Sequence, residues 1–378
     1  MDFSFKDFMV QSESSQSYYL PILSLDSFVM GMNEAFGLGA RIQRLSDEEM
    51  QKNVQKIMAQ KLTKAERIKL PIIHRSNIKI VDEANNLYDL EELKRLIKVR
   101  PAQLLQENEK IQHSGGKATK FFNIGLPALK GLAIDEGTNE FVIVDTCPGA
   151  GQCKIYCYAR KGGYVQWASS SLSASRRINF LLNDPDGFET KLSSEIEKKK
   201  GVYDRKNTNM VIRWHDSGDF FSSEYFDLAM KLARRFPDIQ FYAYTKMAGV
   251  ASAGKPSNFI VNFSGGALPE QETQIDFRKV KHSYVVKRDM FSDCVEMVGG
   301  VMQYIPSMLV ELKQRIADKF GIDVHTILTY EEWKKKPMPL PRVGENIQAD
   351  PWNVIVKPGD GDDSASRIDV LGTYLLEH

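Results

Sequence analysis

Short apolar runs alternate with amphipathic stretches through most of the chain beyond residue 120. The apolar runs are rich in β-branched and aromatic residues and predict strands at residues 121–127, 141–145, 210–214, 239–245, 258–263, 284–287 and 354–356. The stretches between most of them repeat apolar residues at helical spacing and predict helices at 169–183, 188–200, 223–236 and 301–320. Strands that alternate with helices indicate an α/β fold with a parallel sheet, either open or closed into a partial or complete (β/α) barrel.

The first part of the chain has a different pattern, which predicts a mostly helical region. Ser46 and Glu49 have the spacing of a capping box, and apolar residues then repeat at helical spacing. Thr63 and Glu66 repeat the capping signal, and residues 89–99 predict another amphipathic helix. We interpret this region as a helical packing module.

A glycine-rich segment at residues 114–117 separates the two patterns and predicts a flexible joint. We therefore divide the chain into a mostly helical region at 1–113 and an α/β barrel-like domain at 114–378. The second part contains a loop at 147–157 that holds three of the four cysteines.

Composition and charge limit the possible partners. The chain has 378 residues, enough for a main domain with an appendage, and no apolar run long enough to span a bilayer. Its 50 basic and 49 acidic residues give a net charge of +1, so contact with nucleic acid would need a local basic patch. Residues 2–7 lack the basic start and apolar core of a signal peptide. We expect a cytoplasmic protein without a membrane partner.

Cys147, Cys153 and Cys157 lie within eleven residues, directly after the strand predicted at 141–145. A short glycine-rich turn lets their thiolates converge on a metal ion or cluster. Three ligands leave one coordination position open, as a catalytic metal requires. Cys294 is either a fourth ligand that would close the site or a buried unreactive thiol.

Polar residues lie at or just beyond the ends of the next three predicted strands. Parallel strands share one carboxyl edge, where ligands bind in α/β folds. The residues at these ends are His215, Asp216, Ser217, Gly218, Asp219, Thr245, Lys246, Asn262 and Ser264. Together with the cysteine loop they predict one polar site around a metal. The alternative is that these residues have only structural roles, in which His215 and Asp216 cap the next helix and Lys246 is a solvent-exposed residue of a loop.

The cysteine loop, with Tyr156 before its last cysteine, and the motif Ser217–Gly218–Asp219 resemble the radical S-adenosylmethionine superfamily. In closer detail, Cys-Pro-Gly-Ala…Cys…Cys-Tyr-Ala, Ser-Gly-Asp-Phe and Tyr-Thr-Lys resemble a phage-encoded family of the gene product eighty-eight type. The resemblance covers about residues 121–290 and does not reach the helical N-terminal region. It implies an enzyme in the cytoplasm of a phage-infected host cell.

The resemblance also implies roles for the candidate residues. Cys147, Cys153 and Cys157 would ligate three irons of a [4Fe-4S] cluster, and S-adenosylmethionine would bind the fourth iron. Ser217, Gly218 and Asp219 would replace the glycine-rich motif that holds the methionine amino group. The other residues implied to line the cofactor and substrate side are Tyr156, Thr245, Lys246, Asn262 and Ser264.

The implied reaction is radical chemistry on a substrate outside the protein. Reductive cleavage of S-adenosylmethionine, fed by an electron donor, would yield a 5′-deoxyadenosyl radical that abstracts hydrogen. His215, Asp216 and Lys246 are the candidate catalytic residues. The family's setting points to nucleic acid, either DNA or tRNA, or to a nucleotide-derived substrate.

Two other interpretations remain open, because the spacing here is C-x5-C-x3-C and most of the superfamily has C-x3-C-x2-C. Residues 216–220 are similar to the Asp-Ser-Gly-Gly-Phe signature of tRNA-guanine transglycosylases, which are barrel enzymes. In that case Asp216 is the acid–base or nucleophilic carboxylate for base exchange, and the cysteines bind zinc.

The third interpretation is a non-catalytic, metal-stapled nucleic-acid-binding protein. Aromatic side chains near the loop would stack on bases and basic side chains would neutralise phosphates. These residues are Tyr156, Tyr158, Tyr164, Trp167, Lys154, Arg160, Lys161, Arg176 and Arg177.

Overall fold

A computed structural model describes residues 38–107, 119–336, 351–360 and 363–377. Its strands are β1 (Ile42–Leu45), β2 (Ile80–Asp82), β3 (Leu87–Tyr88), β4 (Thr119–Ile124), β5 (Lys130–Asp135), β6 (Glu140–Asp145), β7 (Asn209–Trp214), β8 (Gln240–Thr245), β9 (Phe259–Ser264), β10 (His282–Val286), β11 (Val295–Val298), β12 (Val301–Tyr304), β13 (Ile327–Thr329), β14 (Trp352–Val356) and β15 (Val370–Leu376).

The helices of the same residues vary from one turn to more than five. They are α1 (Asp47–Met58), α2 (Lys64–Lys69), α3 (Leu90–Lys98), α4 (Cys153–Tyr156), α5 (Gly163–Gln166), α6 (Ala168–Asn183), α7 (Pro185–Asp204), α8 (Ser223–Arg235), α9 (Ala248–Ser252), α10 (Pro269–Glu272), α11 (Leu309–Phe320) and α12 (Tyr330–Lys334). Short 3-10 turns lie at Arg75–Asn77, Tyr158–Arg160, Arg288–Met290, Pro306–Met308, Val324–Thr326 and Asp363–Ser366. No helix in these ranges is long and apolar enough to cross a membrane.

Eight strands form one open sheet in the order β13-β14-β15-β10-β9-β8-β7-β4. Every neighbouring pair in it is parallel. The α/β class with a parallel sheet is therefore confirmed. The complete barrel is wrong for the described residues, because β13 and β4 lie at the two ends of the sheet and do not pair with each other. Closure depends on strand tilt and stagger, which an alternation of strands and helices does not specify.

One face of the parallel sheet carries the main hydrophobic core. Inward residues of the strands, such as Ile212 and Trp214 of β7, pack with the apolar sides of α6, α7 and α8. Local signals explain where these helices begin: Asp184 caps α7 ahead of Pro185, and Ser222 caps α8 by accepting from the Tyr225 amide. The predictions of these three helices are confirmed.

The strand that leads into the cysteine loop belongs to a second, antiparallel sheet in the order β1-β6-β5. A tight turn joins β5 to β6, and the Asp135 carboxylate accepts from the amides of Gly137 and Thr138 within it. The prediction that the cysteine loop follows a strand of the parallel sheet is therefore wrong. The partner of β6 in the hairpin is β5, which lies just before it at Lys130–Asp135, and the sequence pattern did not predict a strand there.

The region before residue 108 contains the three predicted helices α1, α2 and α3, with both capping boxes formed in α1 and α2. It also contains β1, which pairs with β6, and the hairpin of β2 and β3. None of these strands was predicted. The predicted joint at 114–117 lies outside the described residues.

The helix predicted at 301–320 is wrong in its first part. Val301–Tyr304 is strand β12, which pairs with β11 across a turn at Gly299 and Gly300, and the helix begins only at Leu309. The strands β13 and β15 were not predicted. Short apolar segments fit both the helical and the strand period, so the turn glycines decide between them.

Candidate metal and cofactor site

The cysteine loop crosses from the antiparallel sheet to the carboxyl end of β9 in the parallel sheet. The amides of Gly151 and Cys153 donate to the Gly266 carbonyl over 3.1 and 3.2 Å, and the Leu268 amide donates to the Gly149 carbonyl over 2.9 Å. Ala150 and Ala267 form an antiparallel bridge beside these bonds. The cysteines therefore reach the strand ends of the parallel sheet although β6 does not belong to it.

Glycines permit this close approach of two backbones. A Cβ atom at Gly151 would lie 2.0 Å from the Ala267 carbonyl oxygen, and one at Gly149 would lie 2.4 Å from the Lys246 carbonyl oxygen. Gly266 has a φ of +78°, and a Cβ there would meet the Tyr156 hydroxyl at 2.8 Å. Larger residues at these positions would push the loop away from the strand ends.

The three thiols of the loop lie near enough to one another for their charges to interact, and Cys147 and Cys153 also lie near Asp219. Burial is the main influence on Cys147 and Cys153 and raises the pKa of both thiols, while the Lys246 ammonium opposes this on Cys153. Cys147 Sγ also accepts a hydrogen bond from the Leu129 amide over 3.4 Å. A bound cation would favour the thiolates, because metal ligation deprotonates a cysteine.

Within the described ranges, no group of three or more His, Cys, Asp and Glu side chains is arranged to hold a metal ion. A single zinc with ligands at about 2.3 Å would require its sulfur atoms to lie within about 4 Å of each other. In a [4Fe-4S] cluster each cysteine binds a different iron, so the ligands surround the cluster instead of meeting at one ion. Thiolate donors are of the right chemical type for such a cluster.

Asp219 connects the loops that follow β7 and β8. Its carboxylate accepts from the Lys246 amide over 2.8 Å and the Phe220 amide over 2.7 Å, and it also binds the Thr245 side chain. Burial raises the pKa of Asp219 to about 6, although these hydrogen bonds and the Lys246 charge act in the opposite direction. Asp219 is therefore a positioning residue that fixes the strand ends beside the thiols.

Lys246 extends toward the end of β9. Its Nζ donates to Ser264 Oγ over 2.9 Å and to the carbonyl oxygens of Ser264 and Gly265 over 3.2 and 2.9 Å. The Tyr156 hydroxyl lies beside Gly266 and Cys153, and Lys287 Nζ is 4.9 Å from the Tyr156 ring centre. The structure thus brings Lys246, Ser264 and Tyr156 together with the cysteines.

Three other candidates have structural contacts at the strand ends. Ser217 Oγ donates to the Leu126 carbonyl over 2.5 Å, and the positive φ of Gly218 lets the chain turn against Leu126. Asn262 is fully buried and its amide donates to the carbonyls of Ala243 and Ala365. These contacts fix the backbone around the site.

His215 is buried among aromatic rings. Its Nε2 pairs with the Tyr225 hydroxyl over 2.9 Å, and its ring centre lies 4.5 Å from that of Phe220. Burial lowers the pKa of His215 to about 3, so the imidazole is neutral at physiological pH. A proton-transfer role would require a contact with substrate that this position does not offer.

Asp216 lies beside a shallow cleft whose lining includes Tyr164 and Ser217. Asp216 Oδ2 accepts from the Tyr164 hydroxyl over 3.2 Å, while Oδ1 is buried without a hydrogen-bond partner among the described residues. The cleft also contacts Pro71 and Ile72 of the N-terminal region. The cleft is near the cysteine loop in the chain, since Ala159 in its lining lies two residues after Cys157.

Cys294 lies in a different hydrophobic cluster with Ile316 and Tyr374. Its sulfur donates to Asp293, and its other charged neighbours are Arg315 and Glu311. None of these residues contributes to the surroundings of Cys147 or Cys153. The structure therefore does not bring Cys294 together with the other thiols.

Two arginines of the proposed nucleic-acid set have structural contacts. Arg177 is buried and donates to the Gly125 carbonyl over 2.6 Å, and Arg176 donates to the Leu96 carbonyl over 2.8 Å. Arg160 donates to the carbonyl oxygens of Leu70 and Ala128, and it also faces the thiols of Cys147 and Cys157. The sequence analysis did not identify Arg160 as a cation beside the cysteines. Its position three residues after Cys157 could have indicated this, because residues at that spacing can lie on the same side of a helical turn.

Residues 101–314 match a protein family described as Gene product 88. The Gene 88 protein of Mycobacterium phage D29 is 34% identical over 158 residues, which cover 40% of this chain and 60% of the relative. The Gene 88 protein of Mycobacterium phage L5 is 33% identical over 142 residues, 36% of this chain and 53% of the relative. The chain thus spans little more than half the length of these curated relatives. No solved structure matches it.

The glycine contacts predict that Gly151→Ala weakens the backbone contact between the cysteine loop and the end of β9. The new Cβ would collide with the Ala267 carbonyl, and we expect a loss of about 1–3 kcal/mol in the free energy of unfolding. Urea unfolding and the rate of Cys153 alkylation measure the effect. Gly249→Ala is the matched control, because nothing lies within 4 Å of a Cβ there. Equal stability of both variants would contradict the packing argument.

The burial of His215 predicts a pH dependence of stability. Its folded pKa of about 3 lies below the ordinary 6.5, so below pH 6.5 the unfolded state binds the proton first and stability falls. His215→Asn, which tolerates the φ of +63°, should lose up to about 1.4 kcal/mol less per pH unit than the wild type.

Urea unfolding of both proteins between about pH 6.5 and 5 measures this difference in slope. Asp219 acts with the opposite sign, because its raised pKa makes the folded state bind a proton as the pH falls. Asp219 is present in both proteins, so the comparison cancels its contribution. Parallel pH profiles would contradict a neutral buried His215.

Proposed function

This chain belongs to the Gene product 88 family, and we propose that it is an iron–sulfur enzyme of the radical S-adenosylmethionine type. The observation that carries the proposal is the position of three thiols at the carboxyl edge of a parallel sheet, beside Asp219 and Lys246. This edge is where α/β enzymes place their ligands.

Cys147, Cys153 and Cys157 would hold a [4Fe-4S] cluster. Three cysteines supply one ligand fewer than the irons of the cluster, which leaves an iron for S-adenosylmethionine. Cys294 lies in another cluster of the core and does not complete the set. When bound, the cluster and S-adenosylmethionine supply reductive one-electron chemistry that ends in hydrogen abstraction from the substrate.

The side chains around the thiols would hold the cofactor and compensate its charge. Lys246, held by Ser264 and Gly265, and Arg160, held by Leu70 and Ala128, place two cations next to the thiols. Both reduce the cost of thiolate charge in a partly buried place. Asp219 fixes the backbone of Lys246 and so sets the distance between the cation and the cysteines.

The base-exchange alternative has one observation in its favour. Asp216 has a buried oxygen without a hydrogen-bond partner among the described residues, and its other oxygen binds Tyr164 at the wall of the cleft. A ligand donor group would satisfy that oxygen, since buried polar atoms are nearly always bonded. This candidate requires zinc and not iron at the cysteines, so metal content separates the two functions.

We predict that anaerobic reconstitution gives about four irons and a matching amount of sulfide per chain. The electron paramagnetic resonance spectrum of the reduced protein should change when S-adenosylmethionine is added. Cys147→Ser, Cys153→Ser and Cys157→Ser should each bring the bound iron below about one per chain, because a thiolate ligand to the cluster is lost.

Cys294→Ser is the matched control, because it removes a buried thiol from another part of the core and should keep the iron and the spectrum. One zinc per chain would favour base exchange at Asp216. A cluster whose spectrum does not change when S-adenosylmethionine is added would contradict the radical mechanism. It would still support an iron–sulfur site at the three cysteines.

A further inference from the structure

We propose that the segment from Lys154 to Trp167 is a binding surface for single-stranded nucleic acid, which would be the substrate class of the enzyme. The proposal rests on the proposed function only where it calls this ligand a substrate. Binding is measured without turnover, so the surface and the cluster are tested separately.

The segment exposes large apolar side chains that a soluble fold usually covers. Ile155, Tyr156, Tyr158 and Trp167 are 54%, 41%, 55% and 64% exposed. Among the described residues, the exposed large hydrophobic side chains include three aromatic ones, and all three lie in this segment: Tyr156, Tyr158 and Trp167. Aromatic faces in this number along a short segment are the stacking platform that unpaired bases use.

Neighbouring groups hold two of these rings in place. Tyr158 packs edge-on against Tyr164, with ring centres 5.9 Å apart, and Tyr164 is held in turn by Asp216. Trp167 begins helix α6 and folds back toward Gly163, where a Cβ would lie 3.3 Å from its ring. Rings that are already ordered lose little conformational entropy when a base stacks on them.

The charge of the segment fits a polyanion. Residues 146–183 contain five basic side chains and no acidic one, in a chain that has 49 acidic residues. Arg160, Arg176 and Arg177 donate to backbone carbonyls, which leaves Lys154 and Lys161 as the cations next to the exposed rings in the sequence. A local basic patch of this kind binds phosphates although the net charge of the chain is only +1.

The two ends of the surface differ. Near Tyr156, Lys287 is paired with Glu377, and Glu272 also lies close to the tyrosine. Near Trp167 no acidic residue follows in the sequence until Asp184, whereas Asp216 binds Tyr164, which packs against Tyr158. Trp167 should therefore contribute more to binding than Tyr156.

Single strands fit better than duplexes because stacking needs an unpaired base face, and duplex bases expose only their edges. An acidic protein, such as an electron donor, is the other kind of partner that basic and aromatic groups attract. The experiment below distinguishes the two through the role of the rings.

Fluorescence anisotropy of labelled thymidine and uridine oligonucleotides of about 16 nucleotides tests the proposal, on the full chain with and without reconstituted iron and sulfide. Tyr158→Ala and Trp167→Ala should each weaken binding at least about 5-fold, whereas Trp167→Phe should stay near the wild type. Lys154→Ala and Lys161→Ala should each reduce the slope of log affinity against log salt by about 0.7.

Trp167 provides a second readout that a general loss of folding would not imitate. Of the four tryptophans, Trp214 and Trp333 are buried and Trp167 is the most exposed of the described set. Oligonucleotide should quench the wild-type fluorescence, and Trp167→Phe should remove most of this quenching while the anisotropy still reports binding.

Val310→Ala and Lys335→Ala are the matched controls, because both side chains are exposed outside the surface. They should leave affinity and salt slope unchanged. Equal affinity of Tyr158→Ala, Trp167→Ala and the controls would overturn the proposal, as would equal binding of a duplex. Capture of polyglutamate without any oligonucleotide binding would assign the surface to an acidic protein instead.

Discussion

The backbone contact between the cysteine loop and the end of β9 is the constraint on which the candidate site depends. The amides of Gly151 and Cys153 both donate to the Gly266 carbonyl, and the Leu268 amide donates to the Gly149 carbonyl. These bonds connect two sheets that have different pairing, so they join the hairpin of β5 and β6 to the parallel sheet. Only glycine fits at Gly149 and Gly151 because the opposing atoms are backbone atoms that cannot turn aside. The thiols keep their place beside Asp219 only while this contact holds.

Charge in a partly buried place is the second constraint. Cys147 and Cys153 resist ionisation because burial raises the pKa of both thiols, and Asp219 adds a negative charge nearby. Lys246 and Arg160 act in the opposite sense, yet the backbone carbonyls around them already use part of their hydrogen-bonding capacity. Two cations against three thiols and one carboxyl leave a site whose thiolates gain stability from a further positive centre.

The sequence predicted the class of fold and the position of the site, and it failed where long-range pairing decides. Strands β7, β8, β9 and β10 were predicted because each combines β-branched or aromatic residues with polar residues at its end. The pairing of β6 with β1 and β5 was missed, because the β1 partner lies 96 or more residues away and the β5 partner is joined by a hairpin that was not predicted. For the same reason the sequence did not decide between an open sheet and a barrel.

Within the site, the type of a residue predicted its location at the strand ends better than it predicted its function. The cysteines, Lys246 and Ser264 lie together because parallel strands end at one edge. His215 and Lys246 follow the neighbouring strands β7 and β8, but the left-handed backbone of His215 turns its imidazole into the aromatic core. A histidine after a strand is as compatible with that position as with a catalytic one, and only the packing of Phe220 and Tyr225 decides between them.

The thiols and the exposed rings lie on the same short segment, and this couples any ligand of the surface to the metal site. Cys157 stands between Tyr156 and Tyr158, and the helical turn of α4 carries Cys153 and Tyr156 together. A ligand that stacks on Tyr158 therefore restrains the backbone of Cys157, because the two residues share a peptide bond. By linkage, metal binding would in turn order the rings, so the affinities of the two sites would depend on each other even without direct contact between the ligands.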